Sequence, residues 1–116
     1  MTTFRFSALS FMLLSACQSG PTNLPDANTP LGQIARISNF EERSAALKKF
    51  AEANLANPAR LRAEFAAAGF KSSTFKDGDQ TCQSYDWKSE GMMFPVVMLV
   101  NICDGEISAN SGQQAP

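Results

Sequence analysis

Two cysteines in the C-terminal half of the chain, Cys82 and Cys103, restrict the fold more than any other feature of the sequence. A hairpin centred between positions 92 and 93 brings these two residues opposite each other. The same register pairs two aromatic residues with two apolar residues on the opposite face: Tyr85 with Val100, and Trp87 with Met98. Because both signals require one register, we expect an antiparallel hairpin closed by a disulfide across a loop of about 21 residues.

A redox-active role for this cysteine pair is the alternative. The two residues are far apart in the sequence, and nothing around them resembles the CxxC motif of oxidoreductases. A structural disulfide is the favoured interpretation, and it would stabilise so small a domain by roughly 3 kcal/mol.

An amphipathic helix is predicted over about 39–55. Ser38, followed three residues later by Glu41, forms the pattern of a capping box at its start. Apolar residues then recur with helical spacing: Phe40, Leu47, Phe50, Ala51 and Leu55. The opposite face carries charges of both signs, which are interpreted as a solvated surface: Arg43, Lys48 and Lys49 alternating with Glu41, Glu42 and Glu52.

A second helix begins at Asn57 and Pro58, because asparagine caps a helix well and proline loses no needed donor at the first position. Its apolar face holds Leu61, Phe65 and Ala68. Arg60, Arg62 and Glu64 extend the mixed charged surface. Gly69 follows where a left-handed stop is expected. Residues 31–37 fit either an extra helical turn or an extended lead-in.

Three strands are predicted after the helices. Residues 70–76 and 81–87 flank the turn signal at Asp77-Gly78. The most apolar run, 96–103, is rich in β-branched residues and predicts a central strand. Another turn is expected at Asp104-Gly105.

The predicted fold is a small α+β domain over residues 31–107, with two helices packed on a three-stranded antiparallel sheet and one disulfide. Residues 108–116 contain no apolar residue beyond alanine. We therefore expect them to form a disordered tail.

Composition excludes several classes of function. The chain contains 10 Lys and Arg, 11 Asp and Glu, and no histidine, for a net charge of −1. Ser-His-Asp or Cys-His catalysis and imidazole metal ligation are therefore impossible within this chain. The balanced charge also lacks the clustered basic residues that nucleic acid binding requires. The sequence predicts no enzyme, no cofactor and no metal site.

The N-terminus has the pattern of a targeting segment. One basic residue, Arg5, precedes an apolar run over 6–14 that is too short to span a bilayer. The run ends in Leu14-Ser15-Ala16-Cys17, which resembles the lipobox of bacterial lipoproteins. This resemblance covers residues 1–17 alone and implies that residues 1–16 are a signal peptide and that Cys17 carries a diacylglyceryl thioether and an N-acyl chain.

The resemblance also implies a location. The family retains members with Asp after the lipidated cysteine in the inner membrane, whereas this chain has Gln18. An outer-membrane protein facing the periplasm is therefore expected, in a compartment where disulfides form.

The lipid anchor has consequences for the rest of the chain. Lipidation of Cys17 leaves two of the three cysteines, Cys82 and Cys103, to pair with each other. Residues 17–30 contain three prolines and predict a tether that reaches on the order of 40 Å.

Most candidate sites have a simple structural interpretation. Asp77-Gly78-Asp79 lacks the further oxygens of a calcium loop and is interpreted as a hairpin turn. Ser72, Ser73 and Thr74 have no base beside them and are interpreted as ordinary strand surface. Four carboxylates could form an acid/base pair but are by default exposed: Asp86, Glu90, Asp104 and Glu106.

One loop, Gly91–Pro95, stands out because Met92, Met93 and Phe94 occupy a position where polar turn residues are usual. They either fold back to complete the core or contact a partner or a lipid surface. A copper(I) site that adds Met98 is a further alternative.

These observations predict a non-enzymatic envelope lipoprotein that is anchored in the membrane through Cys17 and binds another envelope protein or helps a complex to assemble. The alternative is a periplasmic enzyme inhibitor or immunity-type protein whose hairpin blocks a catalytic cleft.

Overall fold

The computed structural model describes residues 20–114. They form three helices followed by a four-stranded antiparallel sheet. The helices are α1 (Pro30–Ala35), α2 (Phe40–Ala53) and α3 (Pro58–Ala67). The strands are β1 (Lys71–Asp77), β2 (Gln80–Lys88), β3 (Val96–Cys103) and β4 (Glu106–Gln113), and they lie in the sheet in sequence order. The predicted α+β class is confirmed, with one helix and one strand more than expected.

Local capping explains the boundaries of the two predicted helices. Asn39 caps α2, because its side-chain oxygen accepts a hydrogen bond of 2.9 Å from the Glu42 amide. The predicted capping box that starts at Ser38 is therefore wrong by one residue. Asn57 caps α3 as predicted, and Gly69 ends it with a φ of +88°. Only glycine adopts this conformation without strain.

The stretch at 31–37, which the sequence left open, begins with a short helix. Thr29 caps α1 by accepting a hydrogen bond of 3.0 Å from the Gly32 amide. Leu31 is fully buried in the core, and the Arg36 guanidinium donates to the Pro25 carbonyl at 2.8 Å. These contacts fix the segment that leads into the domain.

The extended tether predicted over 17–30 is wrong for the later part of that range. Pro25 is buried, Leu24 packs against the core, and Thr22 and Asn23 hydrogen-bond to the body of the domain. Composition misleads here because Leu24 and Pro25 provide enough apolar surface for the segment to pack on a neighbouring core.

The predicted hairpin register is confirmed. Cys82 pairs with Cys103 across β2 and β3, Tyr85 with Val100, and Trp87 with Met98. The two sulfurs form a disulfide, with the Cα atoms 4.4 Å apart. The disulfide joins the start of β2 to the end of β3.

The disordered tail predicted over 108–116 is wrong for residues 108–113. These residues belong to β4, which pairs with β3 along its whole length. Ile107 lies opposite Ile102, and Ala109 lies opposite Val100, so both pack toward the core. The strand forms despite its polar composition because the open edge of β3 satisfies its backbone groups. The domain therefore extends beyond 107.

The core lies between the helices and one face of β2 and β3, and Phe65 is at its centre. The Phe65 ring stacks on Tyr85, with ring centroids 4.3 Å apart, and meets Phe50 and Phe70 edge-on. The buried cluster also includes Leu31, Leu47, Leu61, Trp87, Met98 and Val100.

Arg43 corrects the prediction that the charged residues of α2 form a solvated face. Its side chain is only 4% exposed. The guanidinium donates two hydrogen bonds to the Ile37 carbonyl and one of 2.8 Å to the Ser111 hydroxyl, which in turn donates to the Val97 carbonyl. Desolvation by burial lowers the pKa of Arg43 from its ordinary value. Arg43 thus links α2 to β3 and β4.

Candidate binding surfaces

The methionine-rich loop between β2 and β3 is exposed at its tip. Met93 is 80% exposed and Phe94 is 42% exposed, so these two residues do not complete the core. Met92 is partly buried, and its sulfur accepts a weak hydrogen bond of 3.6 Å from the Ser89 hydroxyl. Met98 is 1% exposed inside the core. A copper site would need these thioethers to converge, and the different burial of Met93 and Met98 opposes it.

Hydrogen bonds hold both ends of this loop. Ser89 and Val96 close its base, because the Ser89 amide donates to the Val96 carbonyl and the Val96 amide donates to the Ser89 hydroxyl, both at 2.8 Å. The Gln113 side chain donates to the Phe94 carbonyl at 2.8 Å. The Gln114 amide donates to the Pro95 carbonyl at the same distance. The ends of the loop are thus held by hydrogen bonds, while its apolar tip is exposed.

The N-terminal segment packs against the other side of the same loop. The Asn23 side chain donates to the Lys88 carbonyl at 2.9 Å and accepts from the Glu90 amide at 2.7 Å. The Thr22 amide donates to the Glu90 carbonyl at 3.0 Å. A Cβ on Gly91 would lie 2.8 Å from the Thr22 methyl group, and the φ of Gly91 is +82°. Only glycine therefore fits there without strain.

A second exposed surface is the strand at the other side of the sheet. All seven residues of β1 are exposed, and β1 pairs with β2 alone. The two-residue turn at Gly78 and Asp79 makes Asp77 and Gln80 a hydrogen-bonded pair. Alternation along the strand then directs the backbone N–H and C=O groups of three residues away from the sheet: Ser72, Thr74 and Lys76.

An apolar cavity of about 160 Å³ lies between the α2–α3 turn and strands β2 and β3. Its apolar lining comes from Leu55, Leu61, Tyr85 and Ile102. In the β1–β2 register, Ser72 lies opposite Tyr85 and Thr74 lies opposite Gln83, which also lines the cavity. Ser72 and Thr74 are therefore the β1 residues paired with the part of β2 that lines the cavity.

The candidate carboxylates are exposed, and the structure divides them between different places. Asp86 and Glu90 line a cavity of about 240 Å³ together with Lys71 and Lys88. Asp104 lies in the β3–β4 turn, and Glu106 begins β4. The four carboxylates therefore do not converge on one cleft.

Asp77, Gly78 and Asp79 end β1 and form the turn that leads to β2. Within residues 20–114, no three Cys, Asp or Glu side chains are grouped so that they could hold a metal ion. No helix in the same part of the chain has the length and apolarity needed to cross a membrane. The predicted signal peptide over 1–16 and the predicted lipidation site at Cys17 lie outside the described residues.

Comparisons with protein-family models, curated proteins and solved structures find no match for this chain. Sequence reasoning selected the Met92–Phe94 loop but missed the edge of β1, the cavity between the α2–α3 turn and the sheet, and the contact of Thr22 and Asn23 with the loop. A partial signal for the edge was present, because residues 71–74 contain no apolar side chain.

Proposed function

We propose that this chain is a non-enzymatic lipoprotein, anchored to the periplasmic face of the outer membrane through Cys17, that binds another envelope protein at the free edge of β1. The observation that carries the binding proposal is the complete exposure of this edge strand. The lipobox-like sequence and Gln18 support the anchor and its location.

Strand addition is the binding mode that this edge favours. Ser72, Thr74 and Lys76 present outward donors and acceptors at the spacing of a β-ladder, which an extended segment of a partner satisfies. Each such hydrogen bond contributes about 0.5–1.5 kcal/mol net, so several of them together give useful affinity. An exposed edge without this role is a risk for aggregation.

Residues next to β1 supply selectivity. A partner segment paired with β1 lies about 4.8 Å from it. A long apolar side chain on that segment extends over Ser72 or Thr74 toward Tyr85 on the adjacent strand β2, which is part of the cavity lining. The expected partner is therefore an extended polypeptide segment with an apolar anchor residue.

Substitution of Thr74 by proline tests this proposal. Thr74→Pro removes an outward N–H group that no strand of this domain uses, and proline is tolerated on edge strands. We expect capture of the partner, by crosslinking in intact envelopes followed by mass spectrometry, to fall at least about tenfold, because a central ladder bond is lost and the proline ring obstructs pairing.

Thr74→Val is the matched control, because it keeps the N–H group and the β-branched shape. It should retain capture, and both variants should keep the disulfide and the near-UV circular dichroism of the parent. Equal capture by the proline and valine variants would exclude strand addition at β1. Capture of a soluble hydrolase in place of an envelope protein would favour the inhibitor alternative.

A further inference from the structure

The chain enters the domain against the base of the loop that carries the exposed tip Met93–Phe94. Gly20 and Thr22 lie against Gly91: a Cβ on Gly91 would be 3.6 Å from the Gly20 carbonyl oxygen and closer still to Thr22. The Asn23 side chain then holds the same loop through Lys88 and Glu90. The entry point of the chain and the base of the loop are thus one packed unit.

Chain length limits how far this unit can stand from an anchor on Cys17. Three peptide links separate Cys17 from Gly20, and they span at most about 11 Å. A tether of 40 Å is therefore excluded by the packing of the later residues. A lipid attached to Cys17 therefore keeps Gly20, against which the base of the loop packs, within about 11 Å of the anchored residue.

We infer that Met93 and Phe94 insert into the lipid surface beside the anchored Cys17. This inference rests on the proposed lipid anchor and adds a second point of contact with the membrane. Methionine and phenylalanine are suited to the boundary between headgroups and acyl chains, where their transfer out of water is favourable. The braced base of the loop means that little conformational entropy is lost when the tip is buried.

The surrounding charges indicate which lipids this contact accepts. Near the loop base, exposed Lys88 is followed closely by exposed Glu90, and Asp86 and Lys71 line the same cavity as both. These opposite charges balance, so the patch has no basic cluster that would select anionic lipids. The contact is therefore driven by apolar burial and is expected to depend weakly on salt and on the anionic lipid content.

A fluorescent label at the tip tests the inference in the full-length lipidated protein. Met93→Cys adds one free thiol, because Cys82 and Cys103 form the disulfide and Cys17 carries the lipid in this proposal. The thiol is labelled with an environment-sensitive nitrobenzoxadiazole dye. The protein is placed in vesicles of phosphatidylethanolamine and phosphatidylglycerol containing a headgroup-depth doxyl quencher. A peptide map checks that the native disulfide is retained.

We expect the label at position 93 to shift to the blue and to be quenched at least about twofold. The matched control carries the same label at Asp79→Cys, in the turn at the opposite end of β2, where the dye should remain in water and unquenched. Equal quenching at both positions, or none at position 93 in protein that floats with the vesicles, would overturn the inference.

Flotation of the same samples tests the lipid anchor at Cys17 separately from the contact of the loop tip with the membrane. Protein that fails to float contradicts the lipid anchor and with it the loop contact. Protein that floats with an unquenched label at position 93 leaves the anchor intact and removes the loop contact alone. A blue shift that requires added envelope protein and is insensitive to the lipid quencher would assign the tip to a protein partner instead.

Discussion

Phe65→Ala is expected to lower the free energy of unfolding by about 3–5 kcal/mol, which is most of the stability of a domain this small. Phe65 is fully buried and contacts three aromatic rings: Phe50 on α2, Phe70 just before β1 and Tyr85 on β2. Its removal leaves a cavity between the helices and the sheet that the stacked Tyr85 ring cannot fill alone. Urea unfolding followed by the fluorescence of Trp87, the single tryptophan, measures this loss.

Phe75→Ala provides the matched control for this measurement. Phe75 lies on β1 and is 40% exposed. The same chemical change should cost less than about 1 kcal/mol there, because no closed cavity forms. A loss at Phe65 no larger than the loss at Phe75 would contradict the central position assigned to the Phe65 ring.

Removal of the disulfide is the second large effect. Replacement of both Cys82 and Cys103 by alanine is expected to cost roughly 3 kcal/mol, because the unfolded chain regains the freedom of the loop between them. The urea midpoint of the double variant should fall and should not respond to dithiothreitol. The midpoint of the parent should fall to a similar value when dithiothreitol is added.

The comparison between the two proteins isolates the covalent bond. A parent midpoint that is unchanged by complete reduction, verified by thiol titration, would show that the disulfide contributes little to stability. A double variant that unfolds much more readily than the reduced parent would instead attribute the loss to packing of the Cys82 sulfur, which is buried.

The hairpin could be predicted from sequence because two independent patterns required the same register. Pairing of the cysteines and pairing of Tyr85 and Trp87 with apolar partners agree only when the turn is centred between positions 92 and 93. The starts of the two long helices could also be predicted to within about one residue, since a cap depends on residues within one turn. Short-range signals of this kind fix α2, α3 and the three predicted strands.

The features that were missed depend on distant surroundings. β4 has few apolar residues, and its formation depends on the open backbone groups of β3. The packing of Thr22 and Asn23 joins residues 65 to 68 positions apart, which no local pattern reveals. Arg43 has the same local pattern as the exposed lysines of α2, and its partners, the Ile37 carbonyl and Ser111 on β4, become apparent only in the folded domain.

For the two candidate surfaces as well, the sequence revealed what depends on local residues and not what depends on distant contacts. The composition of the Met92–Phe94 loop marked it as unusual, but its exposure depends on whether the loop folds back over the core, which the sequence left open. The free edge of β1 is a property of the strand order, since a strand is an edge only when no other strand pairs beside it. Sequence therefore indicated one surface by its residues and left the other to the topology.

The contact of Asn23 with the β2–β3 loop also determines how the domain responds to mechanical load. A pull on the chain ahead of Gly20 first reaches the hydrogen bonds of Thr22 and Asn23 to residues 88–90. The load then enters β2 at the end opposite Cys82, whose bond to Cys103 prevents these two strands from separating at that end. The disulfide thus limits how far such a pull can separate β2 from β3.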